Sequence, residues 1–165
     1  SWSQQIAAGM EYLETKKVIH GDLATRNVLL FNGNVAKITD FGLSRQLYEN
    51  SIYSKKTQAP LPWRWMALES LRDMVFSSKS DVWSFGVTVW EIFTMAEVPF
   101  PGLVWSMEFL QNLESGMRMY KPKYASPEIY SVLLKCWAQE ADSRPSFGEL
   151  SQLFGNILIQ SNVVK

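Results

Sequence analysis

The run from Asp81 to Met95 restricts the fold more than any other stretch: Val82, Trp83, Phe85, Val87, Val89, Trp90, Ile92 and Phe93 leave a helix almost no polar face. A helix that is apolar all round has to be buried on every side. The remaining chain must therefore be wrapped around it. The segment is shorter than the roughly 18 residues that span a bilayer, so it reads as the axis of a globular core. With 47% hydrophobic and 13% aromatic residues in a chain of 165, there is enough apolar surface to build such a core. This composition excludes a disordered or collagen-like chain.

Other elements follow from periodicity. Ile6, Met10 and Leu13 recur at spacings of four and three between Trp2 and Lys17, which predicts an opening helix without a clear cap, cut rather than started. Val28 to Phe31 and Val35 to Ile38 flank Asn32-Gly33-Asn34, a tight-hairpin pattern. Ser44 to Pro62 is polar and aperiodic, which predicts a long loop of functional type. Pro99, Pro101 and Gly102 precede an amphipathic segment around Trp105 to Leu113. Ile129 to Trp137 and Leu150 to Leu158 repeat at three and four. The expected fold class is mainly α with a small β-hairpin.

Lys and Arg number 16 against 16 Asp and Glu, so net charge offers no footprint for nucleic acid or an acidic membrane surface. Cys136 is the only cysteine, which rules out an internal disulfide and points to a reducing compartment. Ser1 to Gly9 lacks the basic and apolar regions of a signal peptide. The expected location is cytosolic.

Three polar side chains stand out: Asp22 and Asn27 in HGDLATRN, and Asp40 in ITDFG. The hairpin between them should bring all three into one region despite the 18 residues separating the two aspartates. Carboxylates and an amide oxygen are hard ligands suited to Mg²⁺ carrying phosphates. On spacing alone, Asp and Asn beside hairpins more often make turn hydrogen bonds.

Order and number add what spacing lacks. His20-x-Asp22-x4-Asn27, Asp40-Phe41-Gly42, Ala67-Leu68-Glu69, Asp81-x-Trp83-Ser84-x-Gly86 and Arg144 together resemble the C-terminal lobe of protein kinases over essentially residues 1–165. DLATRN is similar to the DLAARN of receptor-type tyrosine kinases, and Leu61 to Ser70 to their LPVKWMA(P/L)ES segment. The resemblance implies a kinase-like C-terminal lobe of α+β type and an enzyme that moves the γ-phosphate of ATP, with Mg²⁺, to tyrosine hydroxyls of protein substrates. It implies Asp22 as catalytic base, Arg26 beside it, Asn27 and Asp40 as metal ligands, and Leu29 as the floor of the adenine pocket. Arg26 as a surface ion pair and Leu29 as a plain core strand residue remain alternatives. His20 and Phe41 are implied in a stacked apolar spine, Asp81 as an anchor of the catalytic loop, and Glu69 with Arg144 as a buried salt bridge.

Asp40 to Glu69 would be the activation segment, with Tyr48 and Tyr53 as candidate phosphorylation sites. Gly21 stands where relatives have the arginine of HRD, leaving Arg45 to meet a phosphotyrosine, so weaker or altered activation is expected. No GxGxxG loop and no Val-Ala-x-Lys strand occurs. The N-terminal lobe is therefore expected to be missing, and poor ATP binding and negligible transfer are expected of this chain alone. The alternative is a pseudokinase acting as a scaffold or binding module. For the full-length protein, the receptor-type motif implies a plasma-membrane receptor and a receptor dimer.

Overall fold

The computed structural model describes residues 1–40 and 61–163; Phe41, Arg45, Tyr48 and Tyr53 lie outside the described residues. The helices are α1 (Trp2–Thr15), α2 (Leu68–Asp73), α3 (Ser78–Phe93), α4 (Met107–Glu114), α5 (Pro127–Cys136) and α6 (Phe147–Val163), and the strands β1 (Val28–Phe31) and β2 (Val35–Ile38) form one antiparallel pair. The architecture is mainly α with a small β-hairpin, as expected.

Helix α3 is the axis. Every residue from Ser80 to Glu91 is buried. Phe85 meets Phe147 and Phe154 of α6 edge-on at centroid distances of 5.8 and 5.9 Å, a favoured arrangement for aromatic rings. The helix begins three residues before the expected Asp81 because Ser77 caps it. Ser77 Oγ accepts from the Lys79 and Ser80 amides, and the Ser77 amide donates back to Ser80 Oγ at 2.9 Å. This reciprocal box satisfies amides that the first turn leaves without partners.

Helix α1 corrects the sequence reading at both ends. Ser1 Oγ accepts from the Gln4 amide at 3.3 Å, so the helix does have a cap. At the other end Lys17 adopts φ 57°, its amide donates to the Glu14 carbonyl and the Val18 amide to the Leu13 carbonyl. This is a Schellman stop built on lysine instead of the usual glycine, so no residue signalled it.

The hairpin turns through Asn32 at φ 53° and Gly33 at φ 77°, values that asparagine and glycine tolerate best. Two strands alone are marginal in water, and Gln5 of α1 ties them down. Its Nε2 donates to the Asn34 carbonyl at 3.0 Å and its Oε1 accepts from the Ala36 amide at 2.7 Å. Helix α1 also packs on α6, α3 on α5, and α2 on α4.

Gly86 sets the α3–α5 approach: a Cβ there would lie 2.6 Å from Trp137 Nε1 and 2.9 Å from Cys136 Cβ. Both neighbours are buried, and burial pushes the Cys136 thiol up to about 12, which leaves it an inert packing group. Alanine gains about 1 kcal/mol of helix propensity over glycine, but overpacking of a tight core costs about 1–3 kcal/mol. Gly86→Ala is therefore expected to destabilise the protein in chemical denaturation; unchanged or raised stability would contradict this packing.

Candidate active site

The site is assembled on the N-terminal end of α3. Asp81, 2% exposed, accepts the His20 amide at 2.7 Å through Oδ2 and the Gly21 amide at 3.0 Å through Oδ1. One carboxylate thus pins two consecutive backbone groups of the loop to the core helix. Gly21 sits at φ 82°, a conformation open to glycine at no steric cost. His20 is fully buried, its Nδ1 accepts from the Asp22 amide at 3.0 Å, and its Nε2 lies 2.9 Å from the Thr39 carbonyl. An acceptor Nδ1 leaves Nε2 as the N–H donor to that carbonyl. Both ring nitrogens thus meet backbone, so the ring ties the start of the loop to the end of β2.

Asp22 follows. The short turn Thr25–Asn27 folds back on it. Arg26 Nη2 contacts Asp22 Oδ1 at 2.5 Å, and Asn27 Nδ2 donates to Asp22 Oδ2 at 3.1 Å and to the Asp22 carbonyl at 2.7 Å. Both carboxylate oxygens are therefore fixed while the side chain stays 21% exposed. The hairpin closes the circle, because the Thr39 amide donates to the Asn27 carbonyl at 2.8 Å. That bond brings Asp40, exposed and at φ 64°, back beside the turn. Leu29 on β1 is 48% exposed and so is not a plain core residue.

Glu69 and Arg144 meet as a fork, Nη1 to Oε2 and Nη2 to Oε1, both at 2.8 Å. Arg144 is 2% exposed and also donates to the Ala138, Lys79 and Gln139 carbonyls. The pair joins α2 to the segment before α6.

Sequence reasoning missed three groups. Arg64 donates to the Pro99, Phe100 and Leu103 carbonyls and stacks over Trp63. Trp65 lies under the Arg26 guanidinium, 4.5 Å from its ring centroid. Glu91 accepts from Trp65 and Thr25. The signal for Glu91 was present: an acid in the mostly apolar stretch that follows Asp81 in a buried helix has to find donors.

Burial pushes the Asp81 carboxyl from 3.8 up to about 6, against the pull of the Gly21 and His20 amides and of His20 itself. A raised native value means that the folded protein holds this proton more tightly than the unfolded chain does. The stabilisation from Asp81 is thus complete below about 3.9 and lost as pH rises through about 6. Denaturation of wild type and Asp81→Asn at several pH values isolates this group. The advantage of wild type should shrink between pH of about 4 and about 7; a flat or growing difference would reverse the assignment.

Among the described residues no three His, Cys, Asp or Glu cluster to hold a metal. The oxygens on offer are the Asn27 amide and the Asp40 carboxylate. Since Asn27 Nδ2 is engaged by Asp22, its carbonyl oxygen is the end left for a cation. Hard donors of this kind suit Mg²⁺.

The sequence profile of the family described as protein tyrosine and serine/threonine kinase matches residues 1–154. Vascular endothelial growth factor receptor 1 of Mus musculus is 50% identical over 163 residues, 99% of this chain and 12% of that protein. Receptor 3 of Danio rerio is 48% identical over 162 residues, and receptor 2 of Mus musculus 48% identical over 157, covering 98% and 95% of this chain. The chain spans 12% of the length of these relatives.

Proposed function

Because the chain belongs to the protein tyrosine and serine/threonine kinase family, we propose that it is the C-terminal lobe of a protein tyrosine kinase that transfers the γ-phosphate of ATP to tyrosine hydroxyls of protein substrates. The observation that carries this reading is the clamp on Asp22. A general base must present an oriented oxygen to the hydroxyl it deprotonates, and Arg26 and Asn27 hold both Asp22 oxygens while leaving the group open to solvent.

In this mechanism Asp22 accepts the tyrosine proton as the phenolic oxygen bonds to the γ-phosphorus. The bond to the β,γ-bridging oxygen breaks and ADP leaves. Arg26 keeps the carboxylate turned toward the incoming ring. Asn27 and Asp40 would hold Mg²⁺, which neutralises phosphate charge when bound. Leu29 offers an apolar floor to the adenine. Phe41 would join His20 in the apolar spine, and Tyr48 and Tyr53 would be sites whose phosphorylation acts through Arg45.

No helix among the described residues is long and apolar enough to cross a membrane. By analogy with the receptors it resembles, the chain would be a cytosolic segment of a plasma-membrane receptor that dimerises. The test is phosphotransfer by the whole protein with Mg-ATP and matched peptides bearing tyrosine, serine or threonine. Phosphotyrosine is the expected product. Phosphoserine, phosphothreonine or no transfer would overturn the reading.

A further inference from the structure

Glu91 is the only acidic residue between Val82 and Met95, and it is 7% exposed. Among the described residues it has no ion pair. Three neutral donors surround it instead: Oε1 accepts from the Thr25 amide at 3.1 Å and from Trp65 Nε1 at 2.7 Å, and Oε2 from Thr25 Oγ1 at 2.7 Å. A buried carboxylate is costly unless hydrogen-bonded, so these donors and the acid hold each other in place.

Both routes from Glu91 end on Asp22. Thr25 opens the turn whose next residues, Arg26 and Asn27, grip the Asp22 carboxylate. The Trp65 ring lies under the Arg26 guanidinium, where a cation over an indole face is attracted to it. From these contacts we infer that Glu91 is a positioning residue for phosphotransfer: from the core helix it sets the turn and the ring that together hold Arg26 and Asn27 on the catalytic carboxylate. The inference rests on the tyrosine-kinase reading above and adds to it a buried group that touches no substrate.

The chemistry separates the variants. Glu91→Leu takes the acceptor from the part-buried Thr25 amide and Trp65 indole. Glu91→Gln keeps a carbonyl for both N–H groups and can turn its amide toward the Thr25 hydroxyl. Trp65→Phe keeps a ring under Arg26 and loses one donor, whereas Trp65→Leu loses both features.

The experiment is steady-state kinetics of the whole protein with Mg-ATP and a tyrosine peptide, alongside thermal unfolding of each variant. Glu91→Leu should lower kcat by about 10²-fold, the effect of a misplacement near 1 Å, with KM for ATP little changed. Glu91→Gln should recover most of the loss, and Trp65→Phe should exceed Trp65→Leu in kcat. If Glu91→Leu does not fold, the Glu91→Gln and Trp65 comparisons decide. Full kcat in Trp65→Leu, equal loss in Glu91→Gln and Glu91→Leu, or losses that track the folded fraction would each overturn the inference. Wild-type protein that transfers no phosphate would remove the tyrosine-kinase reading and this inference with it. An active wild type indifferent to these variants would remove the inference alone.

Discussion

Arg144→Ala is expected to cost about 3–5 kcal/mol, the usual penalty for stranding one partner of a buried ion pair. Native domains are stable by only about 5–15 kcal/mol, so this change takes a large share of the total. At about 2–4 °C per kcal/mol for a domain of this size, the midpoint should fall by about 6–20 °C. The reason is geometric. Arg144 fills a fork with Glu69 and donates to three backbone carbonyls while 2% exposed, and alanine would abandon all of them at once. Lysine should rescue little, since its point charge cannot reproduce the planar fork. Replacing Glu69 and Arg144 together by methionine should be milder than Arg144→Ala, because no charge is left uncompensated, although the three carbonyls still lose their donor. Thermal and denaturant unfolding of the three variants beside wild type checks the order. A stable, fully active Arg144→Ala protein would refute the structural role of the pair.

Asp22→Asn should do the reverse, sparing the fold and removing the chemistry. Loss of a general base lowers the rate by about 10²–10⁴-fold, and the asparagine amide has no place for the tyrosine proton. Stability should change little. The contact with Arg26 is between side chains 43% and 21% exposed, and such pairs contribute about 0–1 kcal/mol. Kinetics and unfolding measured on the same preparations separate the two effects. A kcat within about tenfold of wild type would exclude Asp22 as the base.

Several features were legible in the chain because they depend on near neighbours. All-round apolarity located α3, and Asn32-Gly33-Asn34 located the hairpin. The hairpin in turn accounts for the meeting of Asn27 with Thr39 and the nearness of Asp40. Motif order assigned Asp22, Asp81, Glu69 and Arg144 to a kinase-like lobe; in the structure Asp81 accepts from the His20 and Gly21 amides and Arg144 donates to Glu69. The limits of α1 were not legible, since Lys17 enters the left-handed region without glycine chemistry to announce it. Nor were the partners of Arg64, which are backbone carbonyls and leave no mark on residue identity.

By itself the sequence determined the helical character of α1, α3, α4, α5 and α6, though not of α2, and which acids and amides flank the hairpin, because periodicity and turn preference act over a few residues. Only the tertiary structure decided how the polar groups inside that fold are satisfied. Glu91 reaches Thr25 across 66 residues and Trp65 across 26, and His20 reaches Asp81 across 61. A buried polar group must be paired with whatever the packing of the whole chain brings beside it, and that choice is made by long-range contacts that no local pattern encodes.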